Sequence, residues 1–263
     1  EYMCQLSGKT EAEVYADLKG VIFLNPMYGY GNSTEAKYLM ADEYLSGNVR
    51  EKLAWAKRSA ELSPDDYKIH VEALEKVQPK DLTASEISVR LGATWLPPEI
   101  VEQFIFEFLG TPRYAQWNIK LHFSQYTGEW NLEGKSYDRG NVKAYNTYGT
   151  SRINAYKIIE ETLNLKDVRI FDYIEEPDGK KKAVLNKKET AIAQSKQELI
   201  KQGFQDWIWA DPERRERLCK LYNEKFNSIR PREYDGSHIT FNGMNPEIEL
   251  REHQKNAVAH ILY

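Results

Sequence analysis

The chain is poor in the residues that announce common chemistries. It has only two cysteines in 263 residues, Cys4 and Cys219, far apart and outside any CxxC pair. A disulfide framework and a structural zinc site are therefore not expected, and a reducing compartment is. No apolar run approaches ~18 residues, which excludes a transmembrane helix from the expected elements. The start, EYMCQLSGKTEAEV, has neither the apolar core of a signal peptide nor the Arg-rich pattern of a transit peptide. It also lacks an initiator Met, as an internal piece of a longer protein would. The five histidines, His70, His122, His238, His253 and His260, form no HExxH and no close cluster with Cys, so no metal ligand set is expected. Carboxylates are plentiful but scattered, and no GxSxG elbow is present, so no catalytic residue is assigned. A formal net charge of -4 argues against blanket nucleic-acid binding and leaves room for local basic faces.

What is present is aromatic and amphipathic: 12% of residues are Phe, Trp or Tyr, enough to build a core despite 29% charged residues. Thr10 to Leu18 has the Thr-x-x-Glu spacing of a capping box. A short strand (21–26) and a loop (29–33) follow. Residues 48–62 place Val49, Leu53, Ala56 and Ala60 on one helical face, and Ser63-Pro64 caps and opens a helix to about Val77. TASEISVRL (83–91) repeats the capping box and predicts another helix stopped by Gly92; Pro97-Pro98 then opens a helix over 99–110. TEAEVYADL-KG-VIFLNP and TASEISVRL-G-ATWLPP thus read as a weak internal repeat. Residues 118–124 and 129–133 alternate as a hairpin. A helix over 152–165 and a strand over 168–174 come next, with 183–186 pairing back. Helix returns from 189 to 226, broken at Asp211-Pro212, with Leu218, Leu221, Tyr222 and Phe226 as the buried face of its second part. A loop (230–246) leads to a last helix. The fold class expected is α+β, mainly helical. Three regions are expected: 1–110, mainly helical with short strands; 111–187, α+β with a hairpin; and 188–263, helical.

Three stretches resemble reactive motifs, and each has a structural explanation. GKT at 8–10 has the tail of a phosphate-binding loop, but that pattern needs a Gly where Met3 stands, and Thr10 is a helix cap. FLNPMYG (23–29) resembles the base-holding motif of DNA amino-methyltransferases, with Asn25 to Tyr28 in its place. Met27 replaces the second Pro and no methyl-donor loop precedes it, so a strand end and turn is the preferred reading. TASEISVRLGATW has the first-helix spacing of a helix-turn-helix, yet the following helix is acidic and apolar, unlike a groove reader. The basic stretch 212–233 carries more. Arg214, Arg215, Arg217, Lys220 and Lys225 lie off the Leu218 stripe, and Arg230 and Arg232 follow. They are candidates for phosphate contact, weighed against a salt-bridged solvent face that Glu213, Glu216 and Glu224 would complete.

The final stretch, LREHQKNAVAHILY, puts Leu250, Ala257, Val258, Ile261 and Leu262 on one helical stripe, with Gln254 on the same stripe. A buried primary amide needs partners for two donors and an acceptor. Leu250, Arg251, His253, Gln254, Ala257 and Val258 match the pattern Leu-Arg-x-(His/Tyr)-Gln-x-x-(Ala/Gly)-Val of superfamily-two helicases and DNA translocases, with Glu252 where Pro is usual. ADEYLSGNVREKL (41–53), SVRLGATWLPPE (88–99), YGTSRINAYKIIEETLN (148–164), DWIWADPERRERL (206–218), YNEKFN (222–227) and REYDGSHITFNGMNP (232–246) extend the likeness. Together they resemble the large bacterial proteins of phages and conjugative elements that fuse a DNA adenine methyltransferase to a Swi/Snf-type helicase.

That resemblance implies a segment between methyltransferase and motor, just upstream of a phosphate-binding loop. It implies adenine contacts by Gln254, with Arg251 and His253 beside it, only in a complete motor. ATP with magnesium and S-adenosylmethionine would serve the parent, with no cofactor in this segment. Partners would be DNA and the flanking domains in cis, with no membrane, in the bacterial cytoplasm. The segment itself is expected to couple the two enzymes and contact DNA through 212–233; the rival is a purely architectural spacer. The last helix is expected to pack loosely, with Gln254 bonded only to water or a neighbour.

Overall fold

The computed structural model describes residues 2–25, 28, 36–175, 181–245 and 247–262. In chain order the elements are α1 (Tyr2–Ser7), α2 (Glu11–Asp17), β1 (Ile22–Leu24), β2 (Tyr38–Met40), α3 (Ala41–Tyr44), β3 (Gly47–Asn48), α4 (Val49–Leu62), α5 (Pro64–Lys76), α6 (Pro98–Leu109), α7 (Arg113–Gln116), β4 (Lys120–Phe123), β5 (Trp130–Glu133), a π-helical turn (Lys143–Thr147), α8 (Ala155–Leu163), β6 (Phe171–Glu175), β7 (Lys181–Leu185), α9 (Lys187–Ile208), α10 (Pro212–Phe226), β8 (Ile229–Arg230) and α11 (Glu252–Leu262). Among the described residues the strands form four separate antiparallel pairs, β1–β2, β3–β8, β4–β5 and β6–β7. The fold is α+β and mainly helical. Two compact units emerge, one from residues 1–81 with 223–263, the other from 82–222. These borders fall at 81/82 and 222/223, whereas the three sequence regions divide at 110/111 and 187/188.

The first unit is built on the antiparallel pair α4 and α5. Asn48 caps α4 by accepting the Glu51 N–H at 3.2 Å. Pro64 occupies the first turn of α5, but the Ser63 side chain makes no cap bond, so that half of the expected start does not form. Val49 and Ala56 from α4 and Leu74 from α5 close a core over Phe23 and Tyr44. Phe23 and Tyr44 stack at 4.6 Å, and the buried His70 ring meets both edge-on. Each imidazole nitrogen has a phenol partner: Nδ1 lies 3.0 Å from the Tyr44 hydroxyl and Nε2 3.3 Å from that of Tyr15. Burial pushes the His70 pKa down to about 4, so the ring is neutral. The capping box on α2 forms as the spacing predicts, Thr10 Oγ1 accepting the Glu13 N–H and Glu13 accepting the Thr10 N–H at 2.8 Å.

The second unit packs α6 against α9. Phe104 meets Phe204 edge-on at 5.1 Å, and Gly203 leaves room for the Phe108 ring. The β4–β5 hairpin pairs in the expected place, with Ile119, Leu121, Trp130 and Leu132 turned inward. Helix α8 holds this hairpin through polar side chains. Asn164 accepts the Trp130 N–H at 2.9 Å and donates to its carbonyl at 2.7 Å, as a neighbouring strand would. Glu160 takes the Leu132 N–H with Lys135 and Lys157. Burial raises its pKa, but those three donors outweigh it and hold the carboxyl below the usual range.

The helix expected over 83–91 does not form. Thr83 and Glu86 complete one turn, with the Glu86 carboxylate accepting the Thr83 N–H at 2.8 Å, and residues 87–90 then form neither helix nor strand. The reason is a period of two: Ile87, Val89 and Leu91 are buried while Ser88 and Arg90 are exposed. Burial of that face overrides the local capping signal. The internal repeat therefore ends at the capping turn, and the helix-turn-helix likeness has no first helix. Gly92 does not stop a helix; its φ is +93°, and a Cβ there would lie 2.4 Å from the Leu163 carbonyl oxygen.

Candidate nucleic-acid interface

The basic stretch 212–233 begins with α10, whose first turn Asp211 caps by accepting the Arg214 N–H at 2.7 Å. That cap turns the Arg214 side chain back onto the end of α9. Its Nε donates to the Ile208 carbonyl at 3.1 Å and a terminal nitrogen to the Trp207 carbonyl at 2.7 Å. The guanidinium lies 3.5 Å from the centre of the Trp207 ring, and the residue is 7% exposed. Arg214 thus closes the C-terminus of α9, where the last carbonyls lack helical partners and carry partial negative charge.

The other cations divide by use. Arg217 pairs with Glu99 at 2.7 Å. Arg215 is exposed and, among the described residues, donates to the Trp209 carbonyl at 3.3 Å. Arg230 lies in β8, donates to the Leu45 carbonyl and pairs with Glu233 at 3.1 Å. Arg232 grips Asp42 with two nitrogens, at 2.8 and 2.6 Å, and lies 4.9 Å from the Tyr234 ring. The Asp42 carboxylate raises the Arg232 pKa further. Lys220 and Lys225 are exposed, and among the described residues neither has an ion-pair partner. The candidate stretch therefore retains Arg215 and Lys220 in the second unit and Lys225 in the first, with four arginines committed to internal contacts. Leu218 is buried as expected, but Phe226 is 57% exposed and is no part of the buried face.

The terminal motif is placed differently from its helical stripe. In α11 the buried position is Ala259, while Gln254, Ala257, Ile261 and Leu262 face outward and Val258 is half-buried. Gln254 sits at the third position of the helix. Its Oε1 accepts the Arg251 N–H at 2.9 Å, the glutamine half of a capping box. Arg251 and His253 are exposed. The helix is held through its opposite face: Asn256 accepts the Gly236 N–H at 2.8 Å, and His260 lies 4.6 Å from the Tyr234 ring. Gly236 is required there, since a Cβ would fall 2.0 Å from the Lys255 carbonyl oxygen.

At the other end of the chain, α2 is an acidic helix. Glu11 accepts from Lys37 at 2.6 Å and Tyr38 at 2.8 Å, and the Lys37 ammonium lowers its pKa; Asp17 pairs with Lys9. Asn25 is spent on the fold, its amide donating to the Ala36 carbonyl at 3.0 Å and its N–H to that of Lys37 at 2.8 Å. Tyr28 is exposed, while Pro26, Met27 and the 29–33 loop lie outside the described residues. Among the described residues no group of three His, Cys, Asp or Glu side chains is placed to hold a metal ion, and no helix is long and apolar enough to cross a membrane.

Comparison with known proteins adds two likenesses. Residues 1–35 match the winged helix domain of a probable helicase, which connects the chain to helicase-related, DNA-associated proteins. Residues 90–228 match a domain of unknown function, DUF8437, nearly the span of the second compact unit. No curated protein and no solved structure matches the chain. With the larger match covering more than half of its residues, this chain belongs to the DUF8437 family.

Proposed function

We propose that the chain is a non-catalytic connecting module of a helicase-bearing DNA methyltransferase of bacterial cytoplasm, touching DNA through α10. The observation that carries the helicase part is the match of residues 1–35 to a probable helicase winged helix domain. The methyltransferase part rests on the sequence likeness alone. DNA contact is assigned to Arg215 and Lys220, the exposed cations of α10 in the second unit, and not to α2, whose Glu11, Glu13 and Asp17 would repel phosphate.

ATP and S-adenosylmethionine belong to the parent in this reading. Gln254, exposed and turned back on Arg251 N–H, leaves its amide donors open among the described residues, which fits an adenine edge completed by other parts of a motor. Arg251 and His253 would flank that edge. The Asn25 to Tyr28 stretch does not fit a methyl-transfer site, because the Asn25 amide is already bonded to Ala36.

A purely architectural spacer is the second reading, favoured by the internal commitment of Arg214, Arg217, Arg230 and Arg232. Duplex-DNA binding across a salt series separates the two. DNA contact predicts affinity falling with salt, and a log–log slope reduced by about one for each of Arg215→Glu and Lys220→Glu. No binding at low salt establishes the spacer instead.

A further inference from the structure

Among the described residues no strand lies on one backbone edge of the β6–β7 hairpin. Asn186 donates to the Ile170 carbonyl at 2.8 Å, and Phe171 lies opposite Leu185. Antiparallel pairing alternates hydrogen-bonded and open pairs, so Asp172 with Val184 and Ile174 with Lys182 exchange the ladder bonds. The N–H and C=O groups of Lys181, Ala183 and Leu185 then point away from β6, and among the described residues no strand pairs there. A two-stranded hairpin is marginal alone in water. Here Phe171, Tyr173, Ile174, Val184 and Leu185 are between 40% and 71% exposed. Such an edge, flanked by uncovered apolar side chains, is a template for a further strand.

The two edges differ. The β6 edge is partly closed, because Arg152 donates to the Phe171 carbonyl at 2.9 Å and pairs with Asp172 at 2.8 Å. Among the described residues the β7 edge is open, and positive charge lies at both its ends: Lys181 at its start, and Lys187 and Lys188 in the first turn of α9, one residue beyond it. All three are exposed, and among the described residues none has an ion-pair partner. A second copy of this hairpin is a poor occupant, since β7 against β7 would bring two positively charged strands together, and its β6 edge is partly closed by Arg152. Nucleic acid is disfavoured too. A duplex offers phosphate acceptors for the open N–H groups but no regular donors for the C=O groups that alternate with them, whereas an extended peptide matches both.

We propose that β7 is the docking edge for an extended acidic peptide segment of a partner protein, one that alternates carboxylate and apolar side chains. Its backbone pairs with Lys181, Ala183 and Leu185, and its carboxylates meet Lys181, Lys187 and Lys188. The surface is separate from the cations assigned to DNA.

The test uses the whole chain and a fluorescein-labelled octapeptide of alternating glutamate and valine, read by anisotropy. The peptide is expected to bind and to lose at least about tenfold in affinity when alternate peptide nitrogens are methylated, because only a strand edge reads those N–H groups. Ala183→Pro is expected to abolish binding with the hairpin intact, since Pro is tolerated where the N–H faces outward. Lys187→Glu with Lys188→Glu should weaken it by a similar factor. Equal binding of the methylated peptide, full competition by a short DNA duplex, or no binding at about 1 mM peptide would overturn the proposal.

Discussion

Gln254 Oε1 accepts the backbone N–H of Arg251 at 2.9 Å, so the glutamine that looks like a nucleotide-sensing group also fastens the first turn of α11. Orphan N–H groups at a helix start are satisfied by side chains one turn away, and Arg251 lacks the short oxygen that would complete the reciprocal bond. A single residue can hold both roles, because the bond uses one lone pair of Oε1 and leaves the amide N–H groups open.

Gln254→Ala should therefore fray α11 even without any ligand, at a cost of roughly 0.5–1 kcal/mol of local stability. Gln254→Glu should retain the turn, since a carboxylate accepts the same N–H and suits the positive end of the helix. Amide exchange over Glu252 to Asn256 measures this. Unchanged protection in Gln254→Ala means that the bond does not stabilise the helix.

His70 makes the first unit acid-sensitive. Its pKa, about 4 in the folded chain, lies below the ordinary 6.5, burial being the main cause and Asp66 opposing it. The unfolded chain thus binds the extra proton between those values, and stability falls as pH drops from about 6.5 to about 4. The loss is on the order of 3 kcal/mol if burial persists throughout. His70→Gln should start less stable near neutral pH but lose the steep part of that slope. Denaturant midpoints at pH 7, 5.5 and 4.5 check it; a parallel slope in the variant removes His70 as the cause.

Arg214 and Lys220 should part company under mutation, although both lie on α10. Arg214→Ala removes the cap of α9 and the contact with Trp207, for a loss of about 2 kcal/mol. Lys220→Ala should leave stability within about 0.5 kcal/mol. Thermal melts of the two variants test the division. A larger drop for Lys220→Ala would contradict the placement of Arg214 as the structural member.

Where sequence and structure agree, local chemistry was sufficient. The Thr10–Glu13 box, the proline openings at Pro64, Pro98 and Pro212, and the alternation of buried Trp130 and Leu132 with exposed Asn131 and Glu133 each act within one element. They agree poorly where two local signals compete. Thr83–Glu86 announces a helix, but Ile87, Val89 and Leu91 repeat every two residues, and burial selects a non-helical course. The candidate interface was legible as a run of positive charge, and its division was not. Nothing in PERRERL tells that Arg214 folds back onto Trp207 while Arg215 faces solvent, because the partner carbonyls belong to a different helix.

By itself the sequence determined the types of most elements, the Thr10 cap and the fold class, since these follow from neighbours a few residues apart. Only the tertiary structure decided which face of α11 is buried, which arginines remain available, and that β7 keeps an open edge among the described residues. Those outcomes depend on surfaces brought together from distant parts of the chain. A periodicity can mark a helix without saying where its neighbour will lie.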